Sequence, residues 1–241
     1  MNRLMVIPSY NEAENLVHLI PQLIDVDPKL DICIVDDNSP DGTGKKVKEL
    51  ISTHQWTNVT LISRDEKMGR GNAVREGLEW GYHQNRYDAF AEMDGDLSHS
   101  PNDIPRGFGK LKQADVVLAS RYPNGSVSGW SWTRKSLSYL ANRLAKAMID
   151  PSIGDYTNGF RFYSSKAVEL LLTHRQQHTG YIYLSESLSL LLKAGMQVKA
   201  FPIHFINRTR GKSNTDIKEV YQSFKGILQI GWKHRTLPST L

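Results

Sequence analysis

Cysteine is nearly absent. Cys33 is the only one in 241 residues, so no internal disulfide can form, and the composition fits a reducing compartment. It sits in the apolar run Ile32-Cys33-Ile34-Val35, where a buried strand residue is expected rather than a nucleophile. Long hydrophobic runs are missing too. No stretch approaches the roughly 18 consecutive apolar residues of a membrane helix, so any work at a membrane is expected from its surface. Met1 is followed within three residues by the strand-like run Leu4-Met5-Val6-Ile7, and no signal peptide is expected. The Gly-x-Gly-x-x-Gly turn of a nicotinamide-binding sheet is absent, and Pro8-Ser9-Tyr10-Asn11-Glu12 stands in its place. A phosphate-binding P-loop is absent as well, because Gly42-Thr43-Gly44-Lys45-Lys46 has the wrong spacing. The eight histidines show no metal-ligand spacing, which leaves zinc chemistry unsupported.

What is present is ordinary for a globular chain: 39% hydrophobic and 23% charged residues. The net charge of +5 and a pI of about 9.2 suit an anionic partner. No nucleic-acid motif accompanies the basic balance, so no nucleic-acid partner is expected. Short apolar runs at 4–7, 31–35, 59–63, 89–93 and 116–120 read as strands. They alternate with helical patterns at 12–23, 45–53, 72–83 and 104–112. That alternation predicts an α/β fold, a mostly parallel sheet covered by helices on both faces. Beyond it, helices are predicted at 135–149, 183–194 and 217–232, and strands at 160–163 and 197–205. With no linker, repeat or low-complexity segment, residues 1–241 read as one domain.

Ligands of parallel sheets bind outside the carboxyl ends of the strands. Polar clusters fall at those ends: 8–12, 36–41, 94–99 and Arg121-Tyr122. The central one is Asp94-Gly95-Asp96. Residues i and i+2 of an extended chain share a face, so the two carboxylates are expected to hold one hard cation, Mg²⁺ or Mn²⁺. Such a cation neutralises a departing diphosphate.

Several segments together resemble glycosyltransferase family 2, and within it the dolichol-phosphate (polyprenol-phosphate) mannose synthases. They are 6–12, Ile34-Val35-Asp36-Asp37-Asn38-Ser39-Pro40-Asp41-Gly42-Thr43-Gly44, Met93-Asp94-Gly95-Asp96-Leu97-Ser98-His99, Ser120-Arg121-Tyr122, Arg134-Lys135 and Gly159-Phe160-Arg161. The resemblance implies a GT-A type, Rossmann-like sheet with additional C-terminal helices. It implies that Pro8, Tyr10, Glu12, Val35 and Asp37 hold the nucleoside. Asp94, Gly95 and Asp96 would meet the metal and diphosphate, with Ser98 beside the metal. Arg121, Arg134 and Ser138 would meet the acceptor phosphate. Arg208 is placed with the nucleotide-binding residues and opens an Arg-x-x-Gly-x-Ser pattern, ending at Ser213, that closes over phosphate. The implied substrates are a nucleotide-sugar, GDP-mannose favoured over donors such as UDP-glucose, and a polyprenyl phosphate. The implied location is cytoplasmic, peripheral on a membrane face. Departures are Gly95 for the usual Ala, Asn158 for Ser, and Asn214 for Lys.

A phosphate acceptor is already ionised near neutral pH, its second pKa being about 6, and needs no general base. It needs arginines, which grip phosphate through two hydrogen bonds, and inverting displacement follows. A hydroxyl acceptor would need a carboxylate base, for which Asp155 is one reading and a turn residue the other. A nucleotide-binding regulatory module is the non-enzymatic alternative, against which the intact Asp94 and Asp96 stand. The 217–232 helix carries Ile217, Val220, Tyr221, Phe224, Ile227, Leu228 and Trp232 at helical spacing, among Lys218, Lys225, Lys233 and Arg235. It reads as an interfacial helix or as one packed on the core. The segment 127–149, with Trp130 and Trp132, is a second membrane-facing candidate.

Overall fold

Alternate residues of the first two strands go to opposite sides of one sheet, as strand geometry requires. Leu4, Val6, Cys33 and Val35 enter one core; Met5, Ile7, Ile32 and Ile34 enter another. All eight are at most 1% exposed, which is why these strands read as continuous apolar runs. Burial pushes the Cys33 thiol up to about 12, with Glu76 adding to the effect, so no nucleophile resides there. The computed structural model describes residues 1–208, 210 and 217–236, with backbone alone for 217–222.

The chain order is β1 (Arg3–Ser9), α1 (Ala13–Val26), β2 (Leu30–Asp36), α2 (Thr43–His54), β3 (Val59–Ser63), α3 (Arg70–His83) and β4 (Ala89–Glu92). Then come α4 (Ile104–Lys110), β5 (Val116–Ser120), β6 (Ser126–Ser128), α5 (Trp132–Met148) and β7 (Arg161–Ser164). The rest is α6 (Ser165–Thr173), α7 (Tyr183–Lys193), β8 (Val198–Pro202), β9 (His204–Ile206) and α8 (Ile217–Thr236). The main sheet runs β3-β2-β1-β4-β7-β5-β8. Every pairing is parallel except those of β7, which is antiparallel to both β4 and β5. Residues of α1, α2 and α4 join one core, and residues of α3, α5, α6, α7 and α8 the other. This is the expected mostly parallel, helix-covered sheet.

Local departures have local causes. The strand expected over 197–205 is two strands. Pro202 pairs with Ser120 at the end of β8, Ile203 N–H donates to the Ser120 carbonyl, and the chain then joins β6 in a separate parallel pair. β6 and α6 were not foreseen from periodicity because both are short; α6 is started by Ser164, whose Oγ accepts from Ala167 N. α5 begins at Trp132, earlier than periodicity suggests, because Ser131 Oγ caps Arg134 N. α3 begins at Arg70 rather than Asn72. In α8, Ile227 and Ile230 are buried against the core shared with Ala141 and Ala145, whereas Leu228 and Trp232 are exposed. Among the described residues no helix is long and apolar enough to cross a membrane.

α3 lies close on the sheet because Gly77 and Gly81, four apart on one helix face, present no side chain to it. A Cβ on Gly77 would stand 2.4 Å from Val6 Cγ1 and 3.0 Å from Val35 Cγ2, both on stiff β-branched side chains. Gly77→Ala should therefore lower unfolding free energy by about 1–2 kcal/mol in urea denaturation, despite the gain in helix propensity of about 1 kcal/mol. An equal or more stable variant would show that the helix is free to lift.

Candidate active site

β2, β1 and β4 are neighbours and parallel, so their carboxyl ends open on one edge. Ser9 pairs with Asp36 and Val6 with Glu92, which sets the clusters after each strand side by side. At the β1 end, Pro8 pairs with Val35 and both are buried. Tyr10 lies under the Lys67 ammonium, 3.6 Å from its ring centre. Glu12 is nearly buried; it accepts from Asn15 Nδ2 at 2.5 Å and faces Arg208 Nη1 at 3.4 Å. At the β2 end, Asp37 accepts from Arg64 Nη1 (2.7 Å), Met68 N (2.9 Å) and Gly69 N (2.7 Å).

The carboxylate pair departs from the sequence expectation in its backbone. β4 stops at Glu92, and residues 95–97 bend, with Leu97 in the left-handed region at φ 62°. Asp94 and Asp96 are thus set by a turn and not by the alternation of a strand. Both still line one cavity of about 750 Å³. Asp94 Oδ1 is paired with Arg70 Nε at 2.8 Å. Asp96 Oδ2 is paired with Arg208 Nη2 at 2.8 Å, and its Oδ1 accepts from Ser98 N at 3.1 Å and from Ser98 Oγ. Ser98 is buried and orients Asp96. Burial drives the Asp94 carboxyl upward, but Arg70, with His99 and Arg208, outweighs it and holds the group below its ordinary range.

Among the described residues no group of three or more His, Cys, Asp or Glu side chains is assembled for a metal. Mg²⁺ and Mn²⁺ sites commonly use one or two carboxylates and complete their shell with substrate phosphate and water. Asp94 and Asp96 fit that arrangement, and the metal would arrive with a phosphate-bearing ligand.

The same cavity is lined by Arg121, Arg134, Ser138 and Arg208. Arg121 is 4% exposed and grips Asp155 twice, Nε to Oδ2 and Nη2 to Oδ1, each at 2.8 Å. Asp155 also accepts from the backbone N–H groups of Arg121 and Thr157. Burial raises the Asp155 carboxyl, and Arg121 overrides this and keeps it low. Asp155 is therefore the counter-ion of Arg121. Arg134 stacks on Trp130 at 4.3 Å and donates to Asn207 Oδ1. Burial, and then the nearby Arg208 and Arg121, lower its pKa, so this guanidinium stands among like charges. Ser138 Oγ accepts from Tyr122 OH at 3.4 Å. Thr209, Gly211, Lys212, Ser213 and Asn214 of the phosphate pattern lie outside the described residues, as do the side chains of Ile217, Lys218, Val220 and Tyr221.

Sequence reasoning missed Arg64, Lys67, Arg70 and Glu92. The signal was legible for the first three: Arg64 to Gly71 is a fifth polar strand end, after β3, with two glycines. Glu92 was legible as a carboxylate inside the apolar run Ala89-Phe90-Ala91-Glu92-Met93.

Burial pushes Glu12 up to about 7; the Asn15 bond opposes this and Asp96 adds to it. The native state then holds a proton on Glu12 that the unfolded chain has released above about pH 4.5, so native stability falls as pH rises from about 4.5 to 7. Glu12→Gln should flatten that window. In urea melts with chelator present, wild type should lose stability relative to the variant between pH 5 and 8, and parallel curves would refute the shift.

The glycosyl transferase family 2 model matches residues 5–172. A polyprenol monophosphomannose synthase of Mycolicibacterium smegmatis is 32% identical over 234 residues, 96% of this chain and 88% of that one. An undecaprenyl-phosphate mannosyltransferase of Micrococcus luteus is 32% identical over 214 residues, 88% and 87% respectively. Among solved structures, glucosyl-3-phosphoglycerate synthase of Mycobacterium tuberculosis, in complex with Mn²⁺, UDP and phosphoglyceric acid, superposes with a TM-score of 0.70 at 16% identity. That match covers 98% of this chain and 79% of the other. A mannosyltransferase of Pyrobaculum calidifontis in complex with GDP-Man and Mn²⁺ gives 0.60 at 14% identity, covering 97% and 73%. With the family model spanning most of the sheet and both relatives matched along most of their length, this chain belongs to glycosyl transferase family 2 and is a glycosyltransferase.

Proposed function

We propose that residues 1–241 act as one catalytic domain that moves mannose from GDP-mannose to a polyprenyl phosphate, with inversion, using Mg²⁺ or Mn²⁺. The observation that carries this is the lining of the 750 Å³ cavity. It combines the Asp94 and Asp96 carboxylates, the Arg121, Arg134 and Arg208 guanidiniums, and the apolar Leu137, Ile182 and Ile227. Acid, base and hydrocarbon in one cavity suit a metal-bound diphosphate, an anionic acceptor group and its lipid chain. The names of the two relatives at 32% identity agree with that acceptor.

Pro8, Tyr10, Glu12, Val35 and Asp37 are assigned to the nucleoside. Asp94 and Asp96, with Ser98 orienting Asp96, would hold the metal, which when bound offsets the charge of the departing diphosphate. Arg134 and Arg208 draw the acceptor phosphate in, and Arg121 braces the wall with Asp155 and Ser138 beside it. A phosphate oxygen of the acceptor attacks the anomeric carbon from the face opposite the diphosphate. The sugar–diphosphate C–O bond breaks and its electron pair leaves with GDP. No proton moves, so no base is required. Asp155, committed to two guanidinium bonds, is not one.

The acceptor is reached from a membrane surface at the cytoplasmic face. α5 exposes Trp132 (80%), Tyr139 and Leu140, and α8 exposes Leu228 and Trp232 (63%), with Arg143, Lys225 and Arg235 exposed on the same two helices. Aromatic, aliphatic and basic groups together suit an interface with anionic lipid. α8 thus serves both readings of its sequence, one face on the core and one outside.

Asp96→Ala should lower transfer from GDP-mannose to undecaprenyl phosphate by about 100-fold or more, measured with radiolabelled donor. The product should carry the anomeric configuration opposite to the donor; retention, preference for UDP-glucose, or transfer to a hydroxyl acceptor would overturn the reading. Trp132→Ala/Trp232→Ala should weaken flotation with anionic liposomes by about tenfold while leaving turnover of a short, detergent-soluble acceptor unchanged. Flotation equal to wild type would remove these helices from the interface.

A further inference from the structure

Asp94 is tied to a buried charged cluster that takes no direct part in the transfer. Arg70, the first residue of α3, makes three bonds with three different nitrogens: Nε to Asp94 Oδ1 at 2.8 Å, Nη1 to Glu92 Oε2 at 2.8 Å and Nη2 to the Gly159 carbonyl at 3.1 Å. Glu92 is wholly buried, and its Oε1 accepts from Tyr163 OH and Tyr183 OH, each at 2.6 Å. The cluster draws on α3, β4, β7 and α7. A Cβ at position 159 would stand 2.2 Å from Arg70 Nη2, so a larger residue there would displace the guanidinium.

Burying such a set is poor evidence of a stabilising role, because desolvation offsets most of the attraction. What the set does provide is direction. A planar guanidinium pinned at three points cannot turn, so the hydrogen bond it offers Asp94 has a fixed position and angle. Arg70 alone would also cancel the Asp94 charge and oppose a cation there. Glu92 removes that difficulty: Arg70 and Glu92 sum to zero charge, so Asp94 is oriented without being neutralised.

We infer that the Glu92–Arg70 pair is a positioning device for Asp94, fixing its Oδ1 while leaving its charge for a divalent cation. The inference rests on the metal-dependent reading proposed above. Arg70 is a positioning residue in this scheme, since its bonds go to Asp94, Glu92 and backbone and none is assigned to substrate.

The test is the affinity for Mn²⁺, followed by paramagnetic resonance of the free ion with GDP present. Arg70→Lys keeps the charge and loses the fork, and should bind Mn²⁺ about tenfold more weakly. Its affinity for GDP in chelator should stay as in wild type, and excess Mn²⁺ should restore part of kcat. Glu92→Gln, which leaves Arg70 uncompensated, should also weaken Mn²⁺ binding. Wild-type Mn²⁺ affinity in Arg70→Lys overturns the inference. Should that variant fail to fold, Tyr183→Phe decides: it removes one hydroxyl from Glu92 without touching Asp94. A weakening of about two- to threefold supports the device, and none overturns it. Absence of Mn²⁺ binding by wild type with GDP is a separate result, which overturns the metal-dependent reading itself.

Discussion

Parallel strands send their carboxyl ends to the same edge, and this sheet loads that edge with negative charge. Glu12 after β1, Asp37 after β2, and Asp94 and Asp96 after β4 converge, and all but Asp94 are less than 9% exposed. Carboxylates so placed repel one another and lose hydration together, which is the condition the remaining architecture must meet. It is met in part by cations: Arg64 stands against Asp37 and Arg208 against Asp96 and Glu12, while Arg70, shared with Glu92, orients Asp94. At Glu12 burial outweighs the pull of Asn15 and Arg208, and a proton is held there up to about pH 7. A divalent cation with its diphosphate is the natural further occupant of such an edge, because it brings the missing positive charge to one side and uses the arginines on the other.

The acceptor side repeats the theme with the signs exchanged. There the excess is positive, and burial together with the neighbouring Arg208 and Arg121 depresses the ionisation of Arg134. Asp155 takes up the charge of Arg121, which turns one of the three from a mobile ligand into part of the wall. Arg134, spread over the Trp130 ring, and Arg208, bridging the two carboxylate clusters, retain more exposure. The cavity therefore combines carboxylates, guanidiniums and hydrocarbon in one lining, which suits the lipid phosphate proposed as acceptor.

Most of the sheet was legible in the sequence because buried parallel strands have no polar face to confuse their boundaries. β3 and β5 are bounded as their apolar runs suggest. Asp94, Asp96, Glu12 and Asp37 were legible because each falls in a polar cluster that closes such a run. Residues that act through tertiary contact were not. Glu92 and Arg70 are 22 residues apart, and nothing local ties them. Arg121 reads in sequence as a free phosphate ligand, and only the fold reveals Asp155, 34 residues on, as its partner. The reversed direction of β7 was hidden for the same reason, since alternation of short elements carries no sign of strand polarity.

That reversal has a consequence in time. An antiparallel strand brings its beginning, not its end, to the catalytic edge, so Arg70 meets the Gly159 carbonyl, 89 residues on, and Glu12 meets Arg208, 196 residues on. During synthesis from the N-terminus the carboxylate edge emerges long before two of its partners exist, and its closure waits on contacts of high sequence separation. The site is thus among the last parts of the molecule to form, and a nascent chain holding β1 to β4 carries the charges of an active centre without the means to use them.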